Sequence, residues 1–401
     1  MSVYLNNAAT SWPKPEPVAR AVADFLTNGG ANLGRGASGA RDIGTMSLVL
    51  DCRIKLAELL GGYDKDSRLV TFCSGVTEAL NVVLKGFFES KTRSGCKVKF
   101  ITTSMEHNAV ARPLAALKER GAELVILPCV ADGTLDPEVL ALALSKDCAY
   151  DKARCIADIV VLSHASNVCG SVQPLEKIAD ITRRRGVPLV VDSAQTAGVI
   201  PIDAAALSLS ALCFTGHKGL MGPQGIGGAL WKADFASEVL PLIEGGTGSF
   251  SHLLSQPSDM PDKFESGTPN LPGIAGLFAA LSWLAATGID NIASHEKELG
   301  EAFLSRMRRS PQAERVTLYG LPEMGENRLG VFALNIGGCD NGILAGKLSD
   351  AGFDTRPGLH CAPLAHKTLG TLPEGSLRAS IGYFNTKDEI EAFWDCVESL
   401  I

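Results

Sequence analysis

Two short stretches of the chain carry groups suited to carbonyl and carbanion chemistry. Val191-Asp192-Ser193-Ala194-Gln195 and Phe214-Thr215-Gly216-His217-Lys218-Gly219 each place polar side chains just beyond an apolar run. An apolar strand ending in Asp, then a second short strand ending in His-Lys, suits pyridoxal 5'-phosphate. Lys218 would form the Schiff base with the cofactor aldehyde. Asp192 would keep the pyridine nitrogen protonated, so that the ring draws electrons from a substrate. Taken alone, Lys218 is better read as an ordinary lysine in a surface turn, because short motifs mislead. The neighbouring strand ends change that balance.

Ligands of open parallel sheets bind beyond the carboxyl ends of the strands. Ser74-Gly75-Val76-Thr77-Glu78 opens a helix after the run 69–73. Its first N–H groups, at Val76 and beyond, would make a phosphate seat with the Thr77 hydroxyl. A plain N-cap by Ser74 is the simpler reading. After the run 98–102, His107 could stack on a cofactor ring and handle protons, or only cap a helix. After the run 156–162, Asn167 could hydrogen-bond substrate or cofactor, or serve a turn. Asp192, Gln195, Thr215, His217 and Lys218 occupy the next two ends. Each piece is weak, and the combination is strong.

Short apolar runs at 69–73, 98–102, 124–129, 156–162, 188–191, 211–214 and 228–231 predict seven strands. Helical periodicity marks 15–28, 42–60, 76–89, 109–120 and 175–185. Apolar runs separated by helices predict an α/β fold, with a mainly parallel sheet covered on both faces. After Trp231 come loops, helices at 271–287 and 291–309, strands at 330–336 and 376–382, and helices at 341–351 and 387–400. The expected division is a large cofactor domain over 15–265 and a small C-terminal α/β domain over 266–401, which includes the N-terminal segment 1–14 and carries the loop of Cys361. Gly34-Arg35-Gly36-Ala37-Ser38-Gly39 matches G-x-G-x-x-G. It follows a helix rather than a strand, so the context for dinucleotide binding is missing.

A length of 401 residues with 46% hydrophobic content allows two or three domains and a large core. The formal charge of -7 speaks against nucleic acid as a main partner, since no basic stripe could neutralise phosphates. Arg183-Arg184-Arg185 falls at an expected helix C-terminus, where cations complement the dipole. No apolar stretch reaches the ~20 residues of a bilayer span, and the first residues lack a signal-peptide pattern, so no membrane partner is expected. Eleven cysteines without a C-x-x-C pair form no metal pattern, and their odd count fits reduced thiols in a cytoplasmic protein. Cys73, Cys129, Cys155 and Cys213 lie in or beside apolar runs and read as small core residues.

Tyr4-Leu5-Asn6-Asn7-Ala8-Ala9-Thr10, Ser74-Gly75-Val76-Thr77-Glu78-Ala79, Glu106-His107-Asn108, Ser166-Asn167, Asp192-Ser193-Ala194-Gln195, Gly216-His217-Lys218 and Gly267-Thr268-Pro269-Asn270 run in order over nearly the whole chain. Together they resemble the class V aminotransferase family, and more narrowly its cysteine desulfurase and selenocysteine lyase branch. The resemblance implies a fold type I pyridoxal phosphate enzyme, usually a homodimer with active sites at the subunit interface. It implies that Thr268 acts in trans, on the cofactor phosphate of the neighbouring subunit.

Arg356-Pro357-Gly358-Leu359-His360-Cys361-Ala362-Pro363 resembles the desulfurase loop that carries the sulfur-accepting cysteine. A thiol attacks as thiolate, which Arg356 or a protonated His360 would favour. Arg378 matches the family arginine that clamps the substrate carboxylate, a task suited to a bidentate guanidinium. Asn167, Arg356 and Arg378 therefore form the expected substrate set. Three features depart from the family pattern. Asn6 stands where many relatives have Asp, Ser38 where relatives often have His, and 362–367 is not the commonest version of the loop.

The implied reaction releases alanine from L-cysteine and leaves a persulfide on Cys361, for transfer to a sulfur- or selenium-acceptor protein. Lys218 or a neighbouring base would take the Cα proton, His107 would shuttle a proton, and Gln195 would tune the ring hydroxyl. Thr77, Thr215, His217 and the partner's Thr268 would hold the phosphate. Selenocysteine lyase uses the same cofactor and is one rival. Another class V aminotransferase or lyase, with Cys361 incidental, is a second. A non-catalytic scaffold is a third, but it needs no such set as Lys218, Asp192, His107, Cys361 and Arg378.

Overall fold

The computed structural model describes residues 2–33, 39–145 and 158–401. Most of the G-x-G-x-x-G match, Cys155 and the start of the run expected at 156–162 lie outside the described residues. The chain opens with β1 (Val3–Tyr4). Seven strands then form one sheet: β2 (Val70–Cys73), β3 (Lys99–Thr103), β4 (Glu123–Leu127), β5 (Ile159–Ser163), β6 (Leu189–Asp192), β7 (Ala211–Thr215) and β8 (Gly227–Trp231). Their order is β2-β8-β7-β6-β5-β3-β4.

Side chains alternate between the two faces of this sheet, as strand geometry requires. Leu162, Leu212 and Phe214 enter one core with Leu56, Ile178 and Leu277. Val161, Ala211 and Cys213 enter the other with Leu80, Phe87 and Leu117. Only β8 runs antiparallel, to both β7 and β2. A loop without a helix can join antiparallel neighbours, whereas parallel ones need a crossover. The β7–β8 connection is therefore free to form the turn that carries Lys218. β8 packs so closely on β2 that a Cβ at Gly228 would run into the Thr71 carbonyl.

The C-terminal part forms an antiparallel sheet from β9 (Val316–Tyr319), β10 (Val331–Ile336), β12 (Arg356–Gly358) and β13 (Ser376–Ser380), in the order β12-β13-β10-β9. Phe303, Phe332, Phe393 and Trp394 fill its core. β11 (Phe353–Asp354) pairs in parallel with β1, and Asn6 bridges to Ser380. The N-terminal segment thus lies on the smaller domain before it reaches the larger one.

The cores do not divide at 265/266. Leu271, Ile274, Leu277, Leu281 and Leu284 of the helix Leu271–Thr287 belong to the core of the large sheet, together with Ile292 of the next helix. Leu299 and Phe303, further along the helix Ile289–Arg309, belong to the smaller core. Apolar periodicity marks a helix that buries a face, but not which sheet it is buried against. No single helix among the described residues is long and apolar enough to cross a membrane.

β2 is an edge strand, and its edge is covered by a buried ion pair. Arg53 donates to the Val70 carbonyl and lies 2.6 Å from Glu265. The other Glu265 oxygen accepts from Phe72 N at 2.6 Å. Removing one partner of a buried pair strands the other charge. Glu265→Ala should therefore lower unfolding free energy by about 3 kcal/mol or more. Urea denaturation of the wild type and the variant measures it.

Candidate active site

The site collects at the carboxyl ends of the parallel strands. Asp192 is the last residue of β6 and is 5% exposed. Its Oδ1 accepts from Ala194 N at 2.9 Å, and Ser163, at the end of β5, is its cross-strand neighbour. Burial nevertheless raises its pKa, because this bond and Lys218 only partly replace water. Lys218, in the turn after β7, has its pKa pushed down to about 8. Burial is the largest cause, opposed by Asp192 and reinforced by Arg378 and Arg356. A lysine whose free amine is accessible near neutrality is a usable nucleophile and base.

His107 follows β3 and caps the helix Asn108–Glu119, its Nδ1 accepting from Ala109 N at 3.0 Å. The cap and the functional reading are compatible, since Nε2 stays available. Burial, then Lys218, Arg356 and Arg378, push its pKa down to about 4. It is therefore neutral at pH 7 with the proton on Nε2. Glu106, the residue before it, is fully buried, accepting from Thr103 Oγ1 at 2.5 Å and from Ser163 N and Oγ at 2.8 Å each. Ser163, which donates to Glu106, thus stands between Glu106 and its cross-strand neighbour Asp192. Sequence reading gave neither Glu106 nor Ser163 a role, although Glu106 stands beside His107.

The helix Val76–Arg93 begins without a side-chain cap. Ser74, read as a plain N-cap, instead bonds through its N and Oγ to Glu78 Oε2 at 2.8 and 2.6 Å. The first-turn N–H groups of Val76 and Thr77 are thereby left open to an anion. Thr215, at the end of β7, comes close to Gly75, with Oγ1 3.6 Å from where a Cβ would stand. His217 Nδ1 lies 3.0 Å from Thr10 Oγ1. The His217 carbonyl also receives Ser11 N at 3.1 Å and Lys14 Nζ at 2.7 Å. Thr10 and Ser11 therefore strap the Lys218 turn to the N-terminal segment, a role not read from the sequence. Gln195 Nε2 donates to the Ala8 carbonyl at 3.1 Å, on the same strap.

The smaller domain contributes the other wall. Arg378 on β13 and Arg356 on β12 are directly paired residues of adjacent strands. Like charges so placed repel, and burial together with Arg356 pulls the Arg378 pKa down to about 9. Arg378 donates to Asn6 Oδ1 at 2.7 Å and to the Asn167 carbonyl at 2.9 Å, while its Nε has no partner among the described residues. The Asn167 amide donates to the His360 carbonyl at 2.7 Å, so its side chain serves the cysteine loop.

Cys361 is exposed, and its carbonyl accepts from Asn108 N at 2.7 Å, beside His107. Cys361 is also within electrostatic reach of Lys218 and Arg378. His360 is not the cationic neighbour expected for this thiol. Burial pushes its pKa down to about 3, and its Nε2 faces the Arg356 carbonyl at 2.9 Å, so it is neutral. Thr268 lies apart, on an exposed loop lining a cleft of about 790 Å³ together with Ser74, Glu78, Met46, Leu50 and Ile243.

The family described as aminotransferase class-V matches residues 3–393. A probable cysteine desulfurase of Halobacterium salinarum is 33% identical over 99% of this chain and 91% of its own length. A cysteine desulfurase of Escherichia coli K12 is 35% identical over 97% and 90%. Among solved structures, an apo cysteine desulfurase from Thermococcus onnurineus superposes with a TM-score of 0.89 at 27% identity, covering 100% of this chain and 94% of its own. An Escherichia coli cysteine desulfurase in an S-sulfonic acid form gives 0.84 at 28%, covering 99% and 94%. The chain shares their fold, a mainly parallel sheet between helical layers with a smaller C-terminal domain.

Acylation of Lys218 in cofactor-free protein should rise through a midpoint near pH 8, not near 10.5 as for an ordinary lysine. Because the folded pKa lies below the unfolded one, stability is lost as pH falls from 10.5 toward about 8 and is constant below. Peptide mapping of acylated Lys218 across pH 7–11 on a roughly unit-spaced series reads the midpoint.

Proposed function

This chain belongs to the class V aminotransferase family, and for it we propose the activity of a pyridoxal 5'-phosphate-dependent cysteine desulfurase. L-Cysteine is split into alanine and a sulfur atom carried as a persulfide on Cys361. The observation that carries this reading is the meeting of the two domains. Asn108 N, next to His107, holds the Cys361 carbonyl, within electrostatic reach of Lys218 and Arg378.

The residues present fit the cofactor. A buried carboxylate such as Asp192 calls for a facing cation, and a protonated pyridine nitrogen is one. The uncapped helix start at Val76 and Thr77, with Thr215 beside it, suits a phosphate, and His217 would add a further donor. When bound, pyridoxal 5'-phosphate supplies an electron sink that stabilises negative charge at the substrate Cα.

The chain's own groups do the rest. Lys218 would hold the cofactor through its amine, and as a free amine near neutrality it takes the Cα proton. His107 presents a neutral Nε2–H for proton transfer, and Gln195, whose Nε2 donates to the Ala8 carbonyl, would tune the ring hydroxyl. Arg378, with Arg356 beside it and Asn167 fixing its position, accepts the substrate carboxylate; an anion there relieves the repulsion of two paired guanidiniums. Cys361 thiolate attacks the substrate sulfur. The S–S bond forms as the Cβ–S bond breaks, and Cβ keeps the electron pair and gains a proton, giving alanine. No external oxidant is required.

The reading includes a homodimer. Ile43, Met46, Leu50 and Ile54 are between 37% and 56% exposed and recur at helical spacing on the helix Ala40–Leu59. An apolar stripe of this kind on an outer helix marks an interaction surface. It borders the cleft that Thr268 lines, which supports Thr268 acting on the phosphate of the neighbouring subunit. An acceptor protein would then collect the sulfur from the exposed Cys361.

Incubation with L-cysteine should add one sulfur to Cys361, read by mass spectrometry. Cys361→Ala should keep the cofactor absorbance band and lose roughly 100-fold or more in alanine release. Full cysteine turnover by that variant would refute the persulfide. Alanine release from selenocysteine at full rate by the same variant would instead favour selenocysteine lyase. Leu50→Glu should shift the protein from dimer to monomer in sedimentation.

A further inference from the structure

We propose that His366, braced by Thr371, is a positioning residue for Cys361 and acts on it through His360. The inference rests on the reading of Cys361 as sulfur acceptor. Its basis is a chain of hydrogen bonds with only one possible direction. The Arg356 carbonyl can only accept, so His360 Nε2, 2.9 Å away, donates to it. His360 Nδ1 must then accept, and His366 Nε2 stands 3.1 Å from it. That leaves His366 Nδ1 as acceptor for Thr371 Oγ1 at 2.7 Å. Donation runs from Thr371 through two neutral imidazoles to Arg356.

The surroundings keep the relay intact. His360 is 3% exposed and His366 is fully buried, with ring centroids 5.3 Å apart. Burial pushes their pKa values down to about 3 and about 4, so neither gains a second proton near neutrality.

The relay holds an adverse backbone. His360 and Cys361 have φ of 49° and 56°, consecutive side-chain-bearing residues in the left-handed region. Such conformations persist only where surrounding contacts over-determine them. Asn167 Nδ2 and Asn108 N hold the two carbonyls, each at 2.7 Å. The imidazole relay adds what these cannot, tying the His360 side chain to β12 on one side and to the helix Pro363–Thr368 on the other. Without it His360 is free to turn, and Cys361 can relax to the ordinary region with its thiol directed elsewhere.

The test compares holoenzyme of the wild type with His366→Leu, His366→Gln and Thr371→Val, reading kcat, KM for L-cysteine and the rate of persulfide appearance on Cys361. The leucine variant should lower kcat and persulfide formation about tenfold, with KM changed less than about twofold. Glutamine can still donate to His360 Nδ1 and should restore the rate to within about threefold of wild type. Should His366→Leu fail to fold, Thr371→Val, which keeps the shape, should show a drop of about threefold. Wild-type persulfidation in both the leucine and valine variants would overturn the proposal, as would a glutamine variant no better than leucine. A wild type that forms no persulfide refutes the sulfur-acceptor reading instead. The positioning claim is then decided by iodoacetamide labelling of Cys361, where equal rates in wild type and His366→Leu would sink it.

Discussion

The site depends on one electrostatic arrangement, a buried carboxylate ending one strand of a mainly parallel sheet and a buried amine in the turn after the next. Asp192 and Lys218 each lie where water would otherwise stabilise their charge. Burial raises one pKa and lowers the other, while their mutual attraction opposes both shifts. A protonated pyridine nitrogen would supply Asp192 with a facing cation. The same burial keeps His107 neutral and leaves the Lys218 amine accessible near neutrality. Groups with displaced pKa values gather where a site needs reactive side chains.

The second constraint is that this pair must face a wall built by another domain. Three connections bring it there. The N-terminal segment pairs with β11, then bonds to His217 and Lys218 through Thr10 and Ser11. Arg378 reaches Asn6 and Asn167 at once, linking β13 to that segment and to the loop after β5. The Cys361 loop is bonded to Asn108 and Asn167 on the large domain. Asn6 matters here. As a neutral acceptor it orients Arg378 without cancelling the guanidinium charge, which an aspartate at the same position would do.

Parts of this were legible because they depend on local pattern. Seven apolar runs became the seven strands of the large sheet, since burial on both faces leaves a continuous apolar signature. Polar residues just beyond those runs fell at the strand ends, because the crossover rule puts the carboxyl ends of parallel strands on one side. The reversed direction of β8 was not legible, since the run 228–231 reads the same in either sense. Glu106 was passed over because a carboxylate within a helix-opening motif reads as solvated, and only the packing shows it enclosed and bonded to Ser163.

By itself the sequence determined the strand runs, the carboxylate that ends one of them and the amine just beyond another, and the family to which their order belongs. These are set by residue type and short spacing, and no distant contact is needed to read them. Tertiary structure decided which sheet the helix Leu271–Thr287 serves, that Ser74 leaves its helix uncapped, and that His360 is neutral rather than cationic. Each of those outcomes is fixed by burial and by one or two hydrogen-bond partners. Burial is a property of the whole fold, and the spacing of residues along the chain does not contain it.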